Sequence, residues 1–346
     1  MKATRKDVAE LAGVSTATVS YVLNKTKSLS PQVVEKVRLA AKQLNYTPNL
    51  VARSLATNQT HTIGIIANDL SNPLHAEVTK YIEEAAAKRN YSVMIFNGTH
   101  EVQKCFYQIL SRNVDAVSIL AMPYRFTIDD LTRLAASQVK ILISGFSDNA
   151  EGMEHINLLN PDFNIGMDAI VSYLKQLKHK EIVYLNSFDN QSPFDRRLDY
   201  FVRSMKKHFG CDSPTVINGT APYLTDSHTG YQMTCRLLTS GSKFSAIICT
   251  NDLMAYGCIK ALSDHGFRVP EDVSVVGIDN ISFSEVYNPG LTSLGYNKKV
   301  FGEQVVDMLL NDIKQNEVQH RVIATNLMIR NSCKVCSATN STALAR

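Results

Sequence analysis

Two groups of side chains in this 346-residue chain have types and spacing suited to chemistry, and in both cases the chemistry is recognition. In residues 4–24, Ser15 is placed to cap a short helix whose Val19, Val22 and Leu23 share one face at helical spacing. That turns Thr16, Ala17, Ser20 and Tyr21 outward, the side of a helix-turn-helix that enters a DNA major groove. The second group consists of polar residues that each follow a short apolar run: Asn68-Asp69, Asn97, Ser144, Asn186-Ser187, Asn251-Asp252 and Asp279-Asn280. Amides, hydroxyls and a few carboxylates suit a polyhydroxylated ligand, although each taken singly is more often a turn or helix cap. Asp252, standing before Leu-Met-Ala-Tyr-Gly, reads as such a cap.

The elements that must position these residues follow from periodicity. Thr4 and Asp7 form a capping-box pattern at the start of a first helix; Val8, Ala9, Leu11 and Ala12 give it an apolar face, and Gly13 stops it. Ser30-Pro31 provides a cap and a proline at the first position of a third helix. Its Val33, Val34, Val37, Ala40, Ala41 and Leu44 close a small core over the first two helices. A domain of about 45 residues lies near the lower size limit for stable folding. Pro48 then breaks the chain, and Asn49 can cap a further turn or two too short to persist alone. Its Leu50, Val51 and Leu55 predict a hinge that orders on a partner.

From Thr62 onward, apolar runs at 63–67, 93–96, 117–121, 141–143, 182–185, 246–249 and 273–278 alternate with helical stretches such as 74–89, 163–177, 193–209 and 253–265. Repeated β-α units of this kind give parallel sheets covered on both faces. The length calls for two of them, because a single core rarely grows beyond about 250 residues. In open α/β sheets ligands bind beyond the carboxyl ends of the strands, which is where the polar residues above fall.

Composition narrows the function classes. The chain is 45% hydrophobic and 20% charged, has no run approaching the roughly 20 uncharged apolar residues of a membrane span, and carries charges at Lys2, Arg5, Lys6 and Asp7 where a signal peptide would be apolar. The expectation is a cytoplasmic protein with no membrane partner. Seven cysteines scattered through apolar segments read as reduced core residues, and Cys333-x-x-Cys336 lacks the second pair of a zinc site. No Gly-rich phosphate loop, zinc-spaced His/Cys set or nucleophile elbow is present, so neither catalytic residues, metal nor cofactor is expected. The net charge of +4 is uneven: residues 1–60 hold nine Lys/Arg against Asp7, Glu10 and Glu35, a head of +6 on a body of −2. A basic head on a near-neutral body fits a polyanion-binding module joined to a sensing module.

The motifs agree with one family. Lys-Asp-Val-Ala-x-x-Ala-Gly-Val-Ser-x-x-Thr-Val-Ser-x-Val-Leu-Asn, Leu-x-Tyr-x-Pro-Asn at 44–49 and Val-Ala-Arg-Ser-Leu at 51–55 resemble the DNA-binding head and hinge of the LacI/GalR family of bacterial transcription regulators. Ser71-Asn72-Pro73, Asp115, Arg197-Leu198-x-x-Phe201, Thr250-Asn251-Asp252-x-Met254-Ala255-x-Gly257, Val269 to Asn280, Leu291-Thr292-Ser293 and Ile329-Arg330-x-Ser332 resemble its effector domain, which is similar to periplasmic sugar-binding proteins. The resemblance implies a helix-turn-helix domain at 1–47 and a hinge at 48–60. It further implies an N-subdomain at 61–160 and 292–323 and a C-subdomain at 161–291 and 324–332; the tail at 333–346 lies beyond the resemblance and is expected to be disordered.

By the same resemblance, Thr16, Ala17 and Tyr21 read bases; Tyr21 stands where Arg or His is common, so the bidentate guanine contact is missing. Thr18, Asn24 and neighbouring lysines fall to phosphate contacts that position without specifying, and Arg53 is a further expected DNA-binding residue. Leu55 is implied to enter the minor groove beside its counterpart from a second subunit and to unstack the central step. For the effector the resemblance points to Arg197, Asp279, Asn251, Leu74 and His75, the last open between ligand stacking and a subunit interface. Relatives carry Asp-Asn where this chain has Asp162-Phe163, which removes an expected polar contact. The implied protein is a dimer or tetramer that binds a palindromic operator, most often as a repressor, under allosteric control by a sugar or related small molecule. The alternatives are a catabolite-control regulator with a phosphorylated protein corepressor, and a sugar-binding protein without a regulatory role.

Overall fold

Helix α1 (Arg5–Ala12) starts where Thr4 and Asp7 exchange hydrogen bonds, Thr4 N donating to Asp7 Oδ2 at 2.8 Å and Asp7 N to Thr4 Oγ1 at 3.4 Å. It ends at Gly13, whose φ of +64° is the left-handed conformation glycine adopts without strain. Helix α2 (Thr16–Asn24) is capped by Ser15, which accepts from Thr18 N at 3.1 Å. Helix α3 (Pro31–Gln43) opens on its proline; the Ser30 hydroxyl makes no capping bond, so the fixed φ of Pro31 sets this terminus in place of the expected side-chain cap. Val8, Ala9, Val19, Val22, Val37, Ala40 and Ala41 close the core between the three helices. The computed structural model describes residues 3–24, 27–47, 54, 59–67, 69–98, 102–120, 128–137, 139–145, 156–187, 195–220, 224–315 and 318–336. They fall into two units, Met1–Thr60 and His61–Arg346.

In the second unit the chain runs β1 (Thr62–Ala67), α4 (Pro73–Lys88), β2 (Ser92–Asn97), α5 (Val102–Ser111), β3 (Ala116–Leu120), α6 (Ile128–Ala136), β4 (Lys140–Ser144) and β5 (Asn157–Pro161). It continues through α7 (Phe163–Gln176), β6 (Ile182–Asn186), α8 (Arg197–Phe209), β7 (Val216–Asn218), α9 (Ser227–Thr239), β8 (Ala246–Cys249), α10 (Asp252–Asp264), β9 (Ser274–Ile278), α11 (Phe283–Val286) and β10 (Thr292–Tyr296). The last elements are α12 (Lys298–Gln315), β11 (His320–Ile323) and β12 (Thr325–Met328). Two six-stranded sheets result, ordered β2-β1-β3-β4-β5-β11 and β7-β6-β8-β9-β10-β12. The first pairs in parallel throughout, and the second is parallel except for β12 against β10. Alternate residues of one strand feed opposite layers: in β8, Ile247 and Cys249 pack on one face and Ala246 and Ile248 on the other. That is why these runs are continuously apolar.

The chain passes between the sheets at Asp162, Asn297 and Ala324. The first and third passages are stitched together, Asp162 N donating to Ile323 O at 2.8 Å and Thr325 Oγ1 to Asp162 O at 2.8 Å. The second corrects the expectation of a return at 291: Thr292–Tyr296 stays in the second sheet, pairing with β9 and β12, and only α12 packs on the first-sheet core through Phe301, Val305 and Leu309. The tail also begins later than expected. Cys333 Sγ donates to Val275 O at 3.3 Å, Lys334 N to Ser274 Oγ at 3.1 Å and Cys336 N to Leu177 O at 2.8 Å, so the chain is docked through residue 336. Residues 337–346 lie outside those described.

Candidate DNA-reading face and effector cleft

In the head, α2 buries Val19 and Val22 and leaves Thr16, Ala17 and Tyr21 exposed, Tyr21 by 40%. Thr18 is turned back to its cap, its hydroxyl 2.9 Å from that of Ser15, and Asn24 Nδ2 donates to Ser20 Oγ at 3.1 Å. Lys27 holds its ammonium 5.7 Å from the centre of the Tyr21 ring, which puts a positive charge beside the exposed face. Arg53 and Leu55 lie outside the described residues.

In the second unit the sequence-predicted residues separate into two sets. Arg197 and Asp279 sit at the carboxyl-end side of the second sheet and within electrostatic reach of each other. Arg197, the first residue of α8, donates from Nε to Asp195 Oδ2 at 2.8 Å, from Nη2 to the same oxygen at 2.5 Å, and from Nη1 to Thr250 O at 2.8 Å. Its guanidinium lies 5.3 Å from the centre of the Phe163 ring. Burial disfavours its charge, but the adjacent Asp195 carboxylate more than offsets that and holds Arg197 firmly protonated. Phe163, which sequence comparison marks as a lost amide, thus provides an aromatic floor for the arginine.

Asp279 follows β9 with φ +110°, a backbone conformation that L residues rarely adopt; its N donates to Leu294 O at 2.7 Å. The residue is 6% exposed; among the described residues its carboxyl has no hydrogen-bond partner, and its oxygens are not sealed from solvent. Burial and the neighbouring Asp252 charge push its pKa up to about 8, against the pull of Arg197 and Lys298.

Leu74, His75 and Asn251 are each engaged within the chain. Leu74 packs against the first-sheet core. His75 is buried with Nδ1 2.6 Å from Asp69 O, and burial lowers its pKa, so the ring is a neutral, internally bonded group. Asn251 is the cap of α10: its Oδ1 accepts from Met254 N at 2.9 Å and its Nδ2 donates to Thr225 O at 2.9 Å. The residue expected to be that cap, Asp252, is instead a fully buried node. Ser293 Oγ donates to one of its oxygens at 2.5 Å, and Ser284 Oγ at 2.5 Å and Ile281 N at 2.9 Å to the other. Burial raises its pKa to about 6, opposed by those hydrogen bonds.

Sequence reasoning also passed over Glu77 and Lys298. Glu77, on α4, accepts from Ser282 N at 2.8 Å and pairs with Lys298 Nζ at 2.7 Å, while Lys298 Nζ also donates to Asn280 O at 2.5 Å. Burial alone would raise the Glu77 pKa; Lys298 and the Ser282 N–H outweigh it and keep it ionised. One carboxylate on the first sheet's helix therefore grips the turn that carries Asp279. Neither residue belongs to a motif, and only the fold brings positions 77 and 298 together.

Comparison with known proteins adds to this geometry. Residues 4–49 match the model of the bacterial regulatory proteins, lacI family, and residues 171–333 that of the periplasmic binding protein-like domain. The chain is 34% identical over 342 residues to the HTH-type transcriptional repressor PurR of Haemophilus influenzae strain PittEE and 31% identical over 338 residues to that of Pasteurella multocida strain Pm70. In both cases 96% of this chain and 99% of the relative are covered. Among solved structures, the Lac repressor dimer bound to operator and the anti-inducer ONPF superposes with a TM-score of 0.82 at 28% identity, covering 96% of this chain and all of that one. A CelR–cellobiose complex shares the fold, with a TM-score of 0.70 at 24% identity over 95% and 99% of the two chains.

Proposed function

Because the chain belongs to the lacI family of bacterial regulatory proteins, we propose that it is a dimeric transcriptional repressor that binds a palindromic operator through Thr16, Ala17 and Tyr21 and is controlled by a small molecule held near Arg197 and Asp279. The observation that carries the reading is the exposed, small-residue face of α2 on a head of charge +6, on a chain whose body presents a buried, unpartnered carboxyl at the end of a parallel sheet. Phosphate contacts from the basic head supply affinity, and the α2 face supplies sequence discrimination. Ligand-driven movement of the two subdomains gives the two global states that allostery requires, and Glu77 is placed to report it, since it joins α4 of one subdomain to Ser282 of the other.

The protein is read as a regulator and not an enzyme. Asp195 and Asp252, two acids near the cleft, are engaged in holding Arg197 and the loop after β9. Among the described residues no helix is long and apolar enough to cross a membrane, and no cluster of His, Cys, Asp and Glu could hold a metal ion. Action in the cytoplasm, where bacterial operators are, follows from the proposed role.

The test is selection of genomic fragments on the purified protein, followed by fluorescence anisotropy on the enriched sequence. A palindrome bound about a thousandfold or more tighter than scrambled DNA is expected. Tyr21→Ala should reduce that ratio while leaving the binding to scrambled DNA and its salt dependence in place. Equal affinity for selected and scrambled DNA would refute the reading.

A further inference from the structure

His61, the first residue of the second unit, has φ +51°, a left-handed conformation that strains a residue other than glycine and lasts only where its surroundings impose it. Asn45, Asn90, Asn113 and Lys178 share that conformation, but each stands two residues beyond a helix, α3, α4, α5 and α7 in turn, and ends it. His61 instead precedes β1, where extended backbone would be ordinary. Its surroundings converge on one carboxylate. His61 N donates to Asp115 Oδ2 at 3.0 Å, its carbonyl accepts from Ser92 N at 2.8 Å, and its ring lies 5.0 Å from that of Tyr91 with the planes at 58°. The Tyr91 hydroxyl shares Asp115, and burial together with the charge of that carboxylate pushes the Tyr91 pKa up. Asp115 is itself fixed through its N–H, which donates to Thr62 O at 2.9 Å.

We infer that Asp115 is a positioning residue for operator binding: through His61 it fixes the backbone where residues 1–60 join the body, so that a dimer offers its two heads to both half-sites with little freedom left to lose. The inference rests on the repressor reading. A joint free to rotate must give up that freedom when both heads seat on one palindrome, and a dimer meets the cost twice. Binding of a head to arbitrary DNA needs no fixed joint, because phosphate contacts carry it whatever the register. Asp115 lies 54 residues from His61 in sequence, and β1 pairs in parallel with β2 on one side and β3 on the other. The joint is therefore anchored in the sheet.

The test titrates the full chain, by fluorescence anisotropy, onto its selected palindrome and onto scrambled DNA, with thermal melts as the check of folding. Asp115→Ala should bind the palindrome about tenfold or more weaker and scrambled DNA as the wild type does. Asp115→Asn keeps an oxygen to accept the His61 N–H and should restore wild-type binding. His61→Pro, which removes the donor and forces φ to about −65°, should weaken palindrome binding as Asp115→Ala does. The double variant Asp115→Ala/His61→Pro should be no weaker than His61→Pro alone, because both changes act through one joint. A folded Asp115→Ala protein with wild-type affinity for the palindrome overturns the inference; so do equal losses on palindrome and scrambled DNA, or additive losses in the double variant. Where Asp115→Ala does not fold, His61→Pro, ahead of the first strand, decides by the same comparison of palindrome with scrambled DNA. A wild type that binds both DNAs alike marks failure of the repressor reading itself, and is seen before any variant is made.

Discussion

Asp279→Asn tests the electrostatics of the cleft directly. A carboxyl with a pKa of about 8 in the folded protein and 3.8 as its ordinary value holds a proton that the unfolded chain has already released. Between those values the folded state binds more protons, so stability falls as pH rises and stops falling above about pH 8. Other groups titrate elsewhere. Asp252, at about 6, has finished its loss by pH 7. His75 and His179, lowered by burial, act as pH drops below their ordinary 6.5, and Cys333, raised to about 11, acts above 9. From pH 6.5 to 8.5 the proton held by Asp279 therefore dominates, and integrating its titration gives a loss of about 2 kcal/mol. Asparagine has the shape of the protonated acid and cannot ionise. Urea unfolding of both proteins at pH 6.5, 7.5 and 8.5 should show near-equal stability at the lowest pH and Asp279→Asn ahead by ~2 kcal/mol at the highest. Parallel losses in the two proteins would refute the assignment of a buried, proton-holding Asp279.

Two further outcomes follow from other parts of the chain. A Cβ built on Gly257 in α10 lies 1.8 Å from Ser227 O and 2.7 Å from Tyr231 N of α9, so Gly257→Ala must push two packed helices apart and should cost about 3 kcal/mol or more in urea unfolding; an unchanged midpoint would show that the helices are not in this contact. Leu55→Ala should weaken operator binding by at least about tenfold, because a methyl cannot wedge open a base step, while the pH dependence set by Asp279 stays as in the wild type; wild-type operator affinity would remove Leu55 from the reading.

How much could be read from the sequence depended on the range of the interactions. The head was legible because its determinants are local: Thr4 and Asp7 are three residues apart, as are Ser15 and Thr18, and Val8, Val19 and Val37 announce their burial by helical spacing. The two sheets were legible for the same reason, since Ile63 to Ala67 or Val275 to Ile278 are apolar enough to be buried on both faces. Short edge strands such as Val216–Asn218 and His320–Ile323 were missed, having few apolar residues and one neighbour each. The passage at Asn297 was misplaced because Thr292–Tyr296 is assigned to its sheet by the backbone pairing with β9 and β12, which no side chain advertises.

The cleft was less legible, and Asn251-Asp252 shows why. Both residues are types that cap helices, they are adjacent, and the local pattern cannot say which one turns toward α10. The fold decides by supplying partners. Met254 N lies within reach of Asn251, whereas Ser293 from β10, Ser284 from α11 and Ile281 from the loop after β9 all aim donors at Asp252, from 29 to 41 residues away. A buried carboxylate with three donors fixes that loop, and the loop carries Asp279 at φ +110° with its carboxyl unpartnered. Glu77 and Lys298 hold the same turn from the other subdomain. Asp279 is thus held at φ +110° by neighbours bonded within the chain, and on the proposed reading of the cleft, loosening any of them should weaken effector binding.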